Sequence, residues 1–317
     1  MSEFKTSRPD TPPTYAPWEA YQRPYVRDLA YVLACPNVLT AWLDFAPHQN
    51  THEITVHSAS FWQMQFEAYQ QRLKELDTTN AYQELTRYLL KRPSPNRLGF
   101  HFEGLLSFWL ADGFARNLHP YETLASNVQL FNGKQTTGEL DLILYNHKEK
   151  LTEHWELAIK FFMGSAPFAP ENWVGINSND NLQRKMTHMQ TKQFRTVWVD
   201  TENHGQVKID KRYGVIKGRF FLPINTNDFS YPAWLAPSFP IHEWCDKNDT
   251  ANLATIDIAA LRAAHYIEWF SKRDFYDGRQ SPFIYDENGA LKTGLYFEGD
   301  RPIVIYPEQR DRIDGKF

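Results

Sequence analysis

The chain reads as an α/β (α+β) protein in which a central mixed sheet is flanked by helices, with a helical amino-terminal part before it and an α+β carboxy-terminal extension after it. Two observations predict this class. Apolar residues recur with helical period up to about residue 111, alternate with period two between residues 125 and 162, and return to helical period from about residue 180. Between residues 97 and 222 this gives the order helix, three antiparallel strands, helix, strand. Composition agrees: 42% hydrophobic and 15% aromatic residues in a chain of 317 supply ample packing material for a globular core.

Each element follows from its local pattern. Residues 1–24 carry Pro9, Pro12, Pro13, Pro17 and Pro24 among small and polar residues and read as a disordered or extended arm. The helical part spans residues 25–96. There Val26, Leu29, Val32 and Leu33 keep helical spacing until Pro36 ends the run, and Val38, Leu39, Trp42 and Leu43 predict a second, short helix. Longer helices are expected from Ser60 to Leu76 and from Ala81 to Lys91, before the break at Pro93 and Pro95. The core, residues 97–225, opens with a helix from Arg97 to about Ala111. Strands follow near residues 125–131, 137–145 and 152–162, with turn chemistry at Asn132-Gly133 and Asn146-His147-Lys148. A helix from Asp180 to Phe194 and strands at Val197 to Val199 and Tyr213 to Leu222 complete the core. The extension, residues 226–317, is expected to pack on it with a helix from Ile256 to Ser271 and a strand from Arg301 to Tyr306.

The chemistry gathers in the central strands. Side chains on a strand switch faces with period two, so Glu139 and Asp141 share one side, and His154, Glu156, Ala158 and Lys160 share one side. Such a hairpin can hold a divalent cation beside a lysine; a half-buried hairpin with a solvated polar face has the same pattern. Glu103 is the only acid in the apolar stretch Leu98 to Leu110, so its carboxylate needs a partner, either a structural arginine or a metal. In the helix after the third strand, Leu182, Met186 and Met189 form the inward stripe. Arg184, Lys185, His188, Lys192 and Arg195 fall within an arc of about 100°. That one-sided basic face suits a phosphate backbone, although charge runs also serve simply as solvated faces.

A helix bearing a glutamate, a strand bearing an aspartate, a strand with an acid and a lysine, then a basic helix resembles the core of the PD-(D/E)XK nuclease superfamily, over roughly residues 97–222. More narrowly, Val26-Arg27-Asp28-Leu29-Ala30, Leu98-Gly99-Phe100-His101-Phe102-Glu103, Gly138-Glu139-Leu140-Asp141, Glu156-Leu157-Ala158-Ile159-Lys160 and Asp180-Asn181-Leu182 resemble an uncharacterised bacterial family placed in that superfamily. The resemblance implies a restriction-endonuclease-like central sheet and a catalytic set of Glu103, Asp141, Glu156 and Lys160. Asp141, Glu156 and Glu103 would hold Mg2+ or Mn2+, and Lys160 would orient the attacking water. It further implies hydrolysis of DNA or RNA, with Arg184, Lys185, His188 and Lys192 meeting the nucleic acid. The sequence departs from the superfamily at one place. Ala158 stands where an acid is expected two residues before the lysine, and Glu156 lies about 13 Å from Lys160 along a strand. The alternative reading is therefore a degenerate nuclease-like module that binds nucleic acid or a protein without cutting.

Other classes are excluded by what the chain lacks. A formal net charge of -4 rules out a protein that attracts nucleic acid over its whole surface, so any polyanion site is local. Gly133-Lys134-Gln135-Thr136 is not a phosphate-binding loop, and no Gly-x-Gly-x-x-Gly, Gly-x-Ser-x-Gly or His-Glu-x-x-His motif occurs. Cys35 and Cys245 are too few for a disulfide framework or thiolate zinc site. With no apolar leader-type segment at the start and no run of 18 uncharged apolar residues, a cytoplasmic protein without a membrane span is expected.

Overall fold

The structure is a computed structural model that describes residues 16–49, 52–94, 97–132, 135–177, 179–226, 229–237, 239–273, 284–287 and 289–307. Most of the expected arm, residues 1–15, and Gly133-Lys134 of the expected turn lie outside them. The remainder of the arm is built into the protein: Pro17–Ala20 forms a 3-10 turn, and Trp18 and Tyr21 are buried.

The amino-terminal part contributes α1 (Pro24–Ala34), α2 (Ala59–Thr78) and α3 (Tyr82–Leu90), followed by α4 (Leu98–Ala115). Pro24 opens α1 at a position where no backbone donor is needed, and the Ser58 hydroxyl caps α2 by accepting the Phe61 N–H at 3.1 Å. The short helix expected over Val38 to Leu43 does not form. The Val38 N–H donates to Ile216 O, and Leu39 bridges to Leu235, so pairing with distant backbone overrides local periodicity.

The long strands β1 (Tyr121–Asn132), β2 (Gln135–Asn146) and β3 (Leu151–Gly164) form an antiparallel meander. After β4 (Trp173–Gly175) come α5 (Leu182–His188), the hairpin β5 (Trp198–Thr201) and β6 (Gly205–Lys208), and β7 (Lys211–Pro223). β8 (Ile241–Asp246), α6 (Thr250–Leu253), β9 (Leu261–Ala263), β10 (Gly294–Glu298) and β11 (Arg301–Tyr306) complete the described chain. The main sheet has the order β1-β2-β3-β7-β8-β11-β10-β9, with β4 paired to β3. Pairing is parallel from β3 through β7 and β8 to β11 and antiparallel toward both edges, so the sheet is mixed and flanked by helices.

The helix expected from Ile256 to Ser271 is replaced by short turns around β9. Leu261–Ala263 satisfies its backbone against β10, an edge that the local sequence cannot announce. The carboxy-terminal strands continue the sheet and are apolar on both faces: Leu295, Phe297, Val304 and Tyr306 enter one buried cluster, while Tyr296, Ile303 and Ile305 enter another. The main core holds Trp62, Trp109 and Trp155 at full burial among residues of α1, α2, α4, β2, β3 and β7. Cys35 and Cys245 are free thiols and buried, as packing residues are.

Candidate functional site

The site forms where β2 and β3 stop pairing. Their ladder joins residues 142–146 to residues 151–155 and ends at the next pair, Asp141 and Glu156. There a carboxylate takes over the role of a backbone carbonyl: Asp141 Oδ2 accepts the Leu157 N–H at 2.7 Å. β4 takes up the same edge of β3 only at Phe162, so among the described residues positions 156–161 have no strand neighbour on that side. The opening sits in the middle of a sheet whose other side is continuous, because β7 pairs with β3 from Glu153 to Met163.

Asp141 and Glu156 hydrogen-bond to each other through their side chains. Burial, and then the neighbouring carboxylate, pushes Asp141 well above the usual range, while burial pushes Glu156 up to about 7. Glu156 is held from two further directions. The Gln193 amide donates to Oε1, and His154 Nε2 lies 3.1 Å from Oε2. Burial holds His154 down at about 3, so its imidazole is neutral at physiological pH and donates to the carboxylate. Gln193 reaches the site because α5 continues as one π-helical turn over Met189–Gln193, whose smaller rotation per residue shifts these side chains from where α-helical spacing would put them.

Glu103 reaches the same region from α4. Burial and then Asp141 raise it to about 7, and its Oε2 is buried without a hydrogen bond. Arg92 Nη2 stands 3.6 Å from that oxygen, at ion-pair rather than hydrogen-bond range. Gly104 makes room for this arginine, since a Cβ there would lie 2.9 Å from Arg92 Cδ. Asn127, at a positive φ of 53° on β1, donates to Glu139 at 2.7 Å and its amide holds the Glu103 pKa down against the effect of burial. Glu139 accepts a second bond from Gln129 and so is occupied by β1 amides.

The basic residues divide. Lys160, half-buried on β3, is engaged by Asp180 at 2.5 Å. Asp180 precedes the Asn181 cap of α5, whose side chain accepts the Arg184 N–H at 2.8 Å. Arg184, His188 and Lys192 are exposed, as a basic face requires, with Arg184 Nη1 also donating to Asn179 O at 2.7 Å. Lys185 does not join them. At 100° per residue it borders the buried stripe of Leu182, Met186 and Met189, and its ammonium faces Glu156, Asp141 and Asp180.

The structure thus joins Asp141 to Glu156 and places Glu103 and Lys185 within electrostatic reach of them, while Lys160, also near Lys185, is paired with Asp180. Residue patterns missed Gln193, Arg92 and Asn127. The π-helical turn, the groove at Gly104 and the positive φ at Asn127 leave no local signature, whereas His154 was visible as the neighbour of Glu156 on one strand face. Chemically the site offers carboxylate oxygens, the donor type suited to Mg2+ or Mn2+. Among the described residues, no three His, Cys, Asp or Glu side chains are gathered closely enough to hold a metal ion as they stand.

The profile of the family described as "Domain of unknown function (DUF1853)" matches residues 27–281, which includes every residue of this site. The chain belongs to that family. No curated protein and no solved structure matches it. Among its described residues, no helix of this DUF1853 member is long and apolar enough to cross a membrane.

Proposed function

We propose that the protein is a divalent-cation-dependent nuclease or phosphodiesterase acting on DNA or RNA, with a restriction-endonuclease-like core of the PD-(D/E)XK type. One observation carries the reading: the buried Glu156 carboxyl and the half-buried Asp141 carboxyl meet at a gap in the sheet, near a Glu103 oxygen that no hydrogen bond satisfies. Taking these acids partly out of water is costly, and a bound cation would offset that cost. The order of α4, the β1–β3 meander, α5 and the parallel strand β7 supports the same core.

Asp141 and Glu156 would hold Mg2+ or Mn2+, with Glu103 completing the carboxylate set. When bound, the cation would lower the pKa of the attacking water and offset charge on the phosphate. Gln193 and His154 keep Glu156 in one orientation, and the exposed Arg184, His188 and Lys192 offer a local positive surface to the backbone of the nucleic acid. Water adds to phosphorus, the bond to one ester oxygen breaks, and a proton passes to that oxygen, leaving a phosphomonoester and a hydroxyl. The second reading, a binding module without cleavage, rests on Ala158 at the place where the superfamily carries an acid.

Mn2+ calorimetry together with cleavage assays on single-stranded DNA, duplex DNA and RNA tests the proposal. Wild type is expected to bind Mn2+ and cut at least one of them, and Asp141→Asn to lose both properties. Nucleic-acid binding without Mn2+ binding or cleavage selects the second reading. If the wild type binds no Mn2+ at millimolar concentration and no nucleic acid, both readings fall.

A further inference from the structure

The shifted acid on β3 leaves a second position unfilled. With Glu156 as the acid, a lysine two residues further along the same strand face would stand at position 158, which is a buried alanine. Lys160 is the next residue on that face. It lies about 13 Å along the strand from Glu156, and its ammonium is taken by Asp180 at 2.5 Å. Lys185 approaches the same acids from α5. It is half-buried while Arg184 and His188 on the same helix are exposed, and among the described residues it makes no ion pair within 4.0 Å. Of the charges around its ammonium, Glu156 acts most strongly, followed by Lys160, Asp141 and Asp180, and both Asp141 and Glu156 feel the lysine in return, so the two ammoniums are neighbours and differ in that Lys160 is held by Asp180.

We propose that Lys185 on α5, rather than Lys160 on β3, is the catalytic lysine of this site, supplying from a helix the cation that a lysine at position 158 would supply from the strand. This inference rests on the nuclease reading and deepens it. Resting beside the carboxylates, the ammonium is placed to touch a non-bridging phosphate oxygen and offset the charge that grows there as water attacks. Lys160 then has a positioning task, tying β3 through Asp180 to the segment that starts α5. The helix is set by Leu182, Met186 and Met189 in the core and by Gln190, which donates to Asp44 Oδ1 at 2.5 Å, so the lysine is carried on a fixed element.

Single-turnover cleavage with Mn2+, on whichever of single-stranded DNA, duplex DNA or RNA the wild type cuts, separates the two lysines. Lys185→Met is expected to slow cleavage by about 100-fold or more while nucleic-acid affinity stays within about threefold. Lys160→Met is expected to cost less than about tenfold in rate. Adding Ala158→Lys to Lys185→Met is expected to recover about tenfold or more, because the charge returns to the same acids from the strand. Should Lys185→Met fail to fold, Lys185→Arg and Lys185→Gln replace it, with only the charged variant keeping substantial activity. Equal rates for Lys185→Met and wild type, dominance of Lys160→Met, or a folded double variant that recovers nothing overturns the assignment and leaves the nuclease reading intact. A wild type that cuts none of the three substrates overturns the nuclease reading, and this inference with it.

Discussion

His57 gives the protein a built-in sensitivity to acid that one substitution should remove. The residue is 7% exposed, and its ring lies between Phe61, stacked at 3.9 Å, and Tyr213, stacked at 4.1 Å, with the Trp155 edge at 4.4 Å. Nε2 is buried without a hydrogen-bond partner. Burial, and then the Lys217 side chain, holds the imidazole at about 3 instead of 6.5. The unfolded chain therefore takes up a proton below about pH 6.5 that the native state refuses until about pH 3, and stability falls as pH drops through that window. Between pH 7 and pH 5 this single group removes about 2 kcal/mol. His57→Phe keeps an aromatic ring in the stack and cannot be protonated. Urea unfolding of both proteins at pH 7, 6 and 5 should show the variant losing about 2 kcal/mol less than wild type over that interval. His154, also held at about 3 by burial, adds the same slope to both proteins and cancels in the difference. Comparing intervals also cancels any change in absolute stability from the slightly larger ring. A difference under about 0.5 kcal/mol would refute the buried, neutral placement of His57.

Three further outcomes are expected. Asp28 is fully buried and meets Arg273 at 2.5 Å, the Ser271 hydroxyl at 2.6 Å and His101 at 2.8 Å, so Asp28→Asn should cost about 3 to 5 kcal/mol in urea unfolding. A loss below about 1 kcal/mol would mean that this acid does not fasten residues 271–273 to α1 and α4. Gly218 pairs with Lys160 at a φ of 137°, and a Cβ there would fall 1.7 Å from the Lys160 carbonyl oxygen; Gly218→Ala should destabilise by more than about 3 kcal/mol, and near-native melting would refute the β3–β7 register at this point. Gln193→Ala removes one of the groups that orient Glu156, so under the proposed function Mn2+ affinity measured by calorimetry should fall about tenfold. Unchanged affinity would separate Gln193 from the cation site.

Much of the architecture was legible because it is written in local pattern. The helices α1, α2, α3 and α4 and the strands β1, β2, β3, β7 and β11 follow from apolar periodicity bounded by proline or turn residues, and packing did not overrule those preferences. Asp141 and Glu156 were legible as candidate ligands from their strand faces and the family resemblance, and the register that sets them opposite each other, five residues from Asn146 and Leu151, came from the structure.

What only the tertiary structure decided depends on contacts between distant segments. Residues 38–43 and 256–271 carry helical spacing, yet Val38 is claimed by Ile216 and Leu261–Ala263 by β10, since unpaired strand backbone outweighs a weak helical preference. The basic helix is where the site itself diverged from its pattern. Counting around an ideal helix groups Lys185 with Arg184, His188 and Lys192, but that count cannot say which edge of the arc faces the sheet, nor that a π-helical turn will bring Gln193 onto Glu156. Sequence alone determined which residues could do chemistry and on which elements they ride. Only the packing of α5 across the gap between β2 and β4 decided which lysine faces the acids, because that choice depends on distances between segments that local periodicity does not encode.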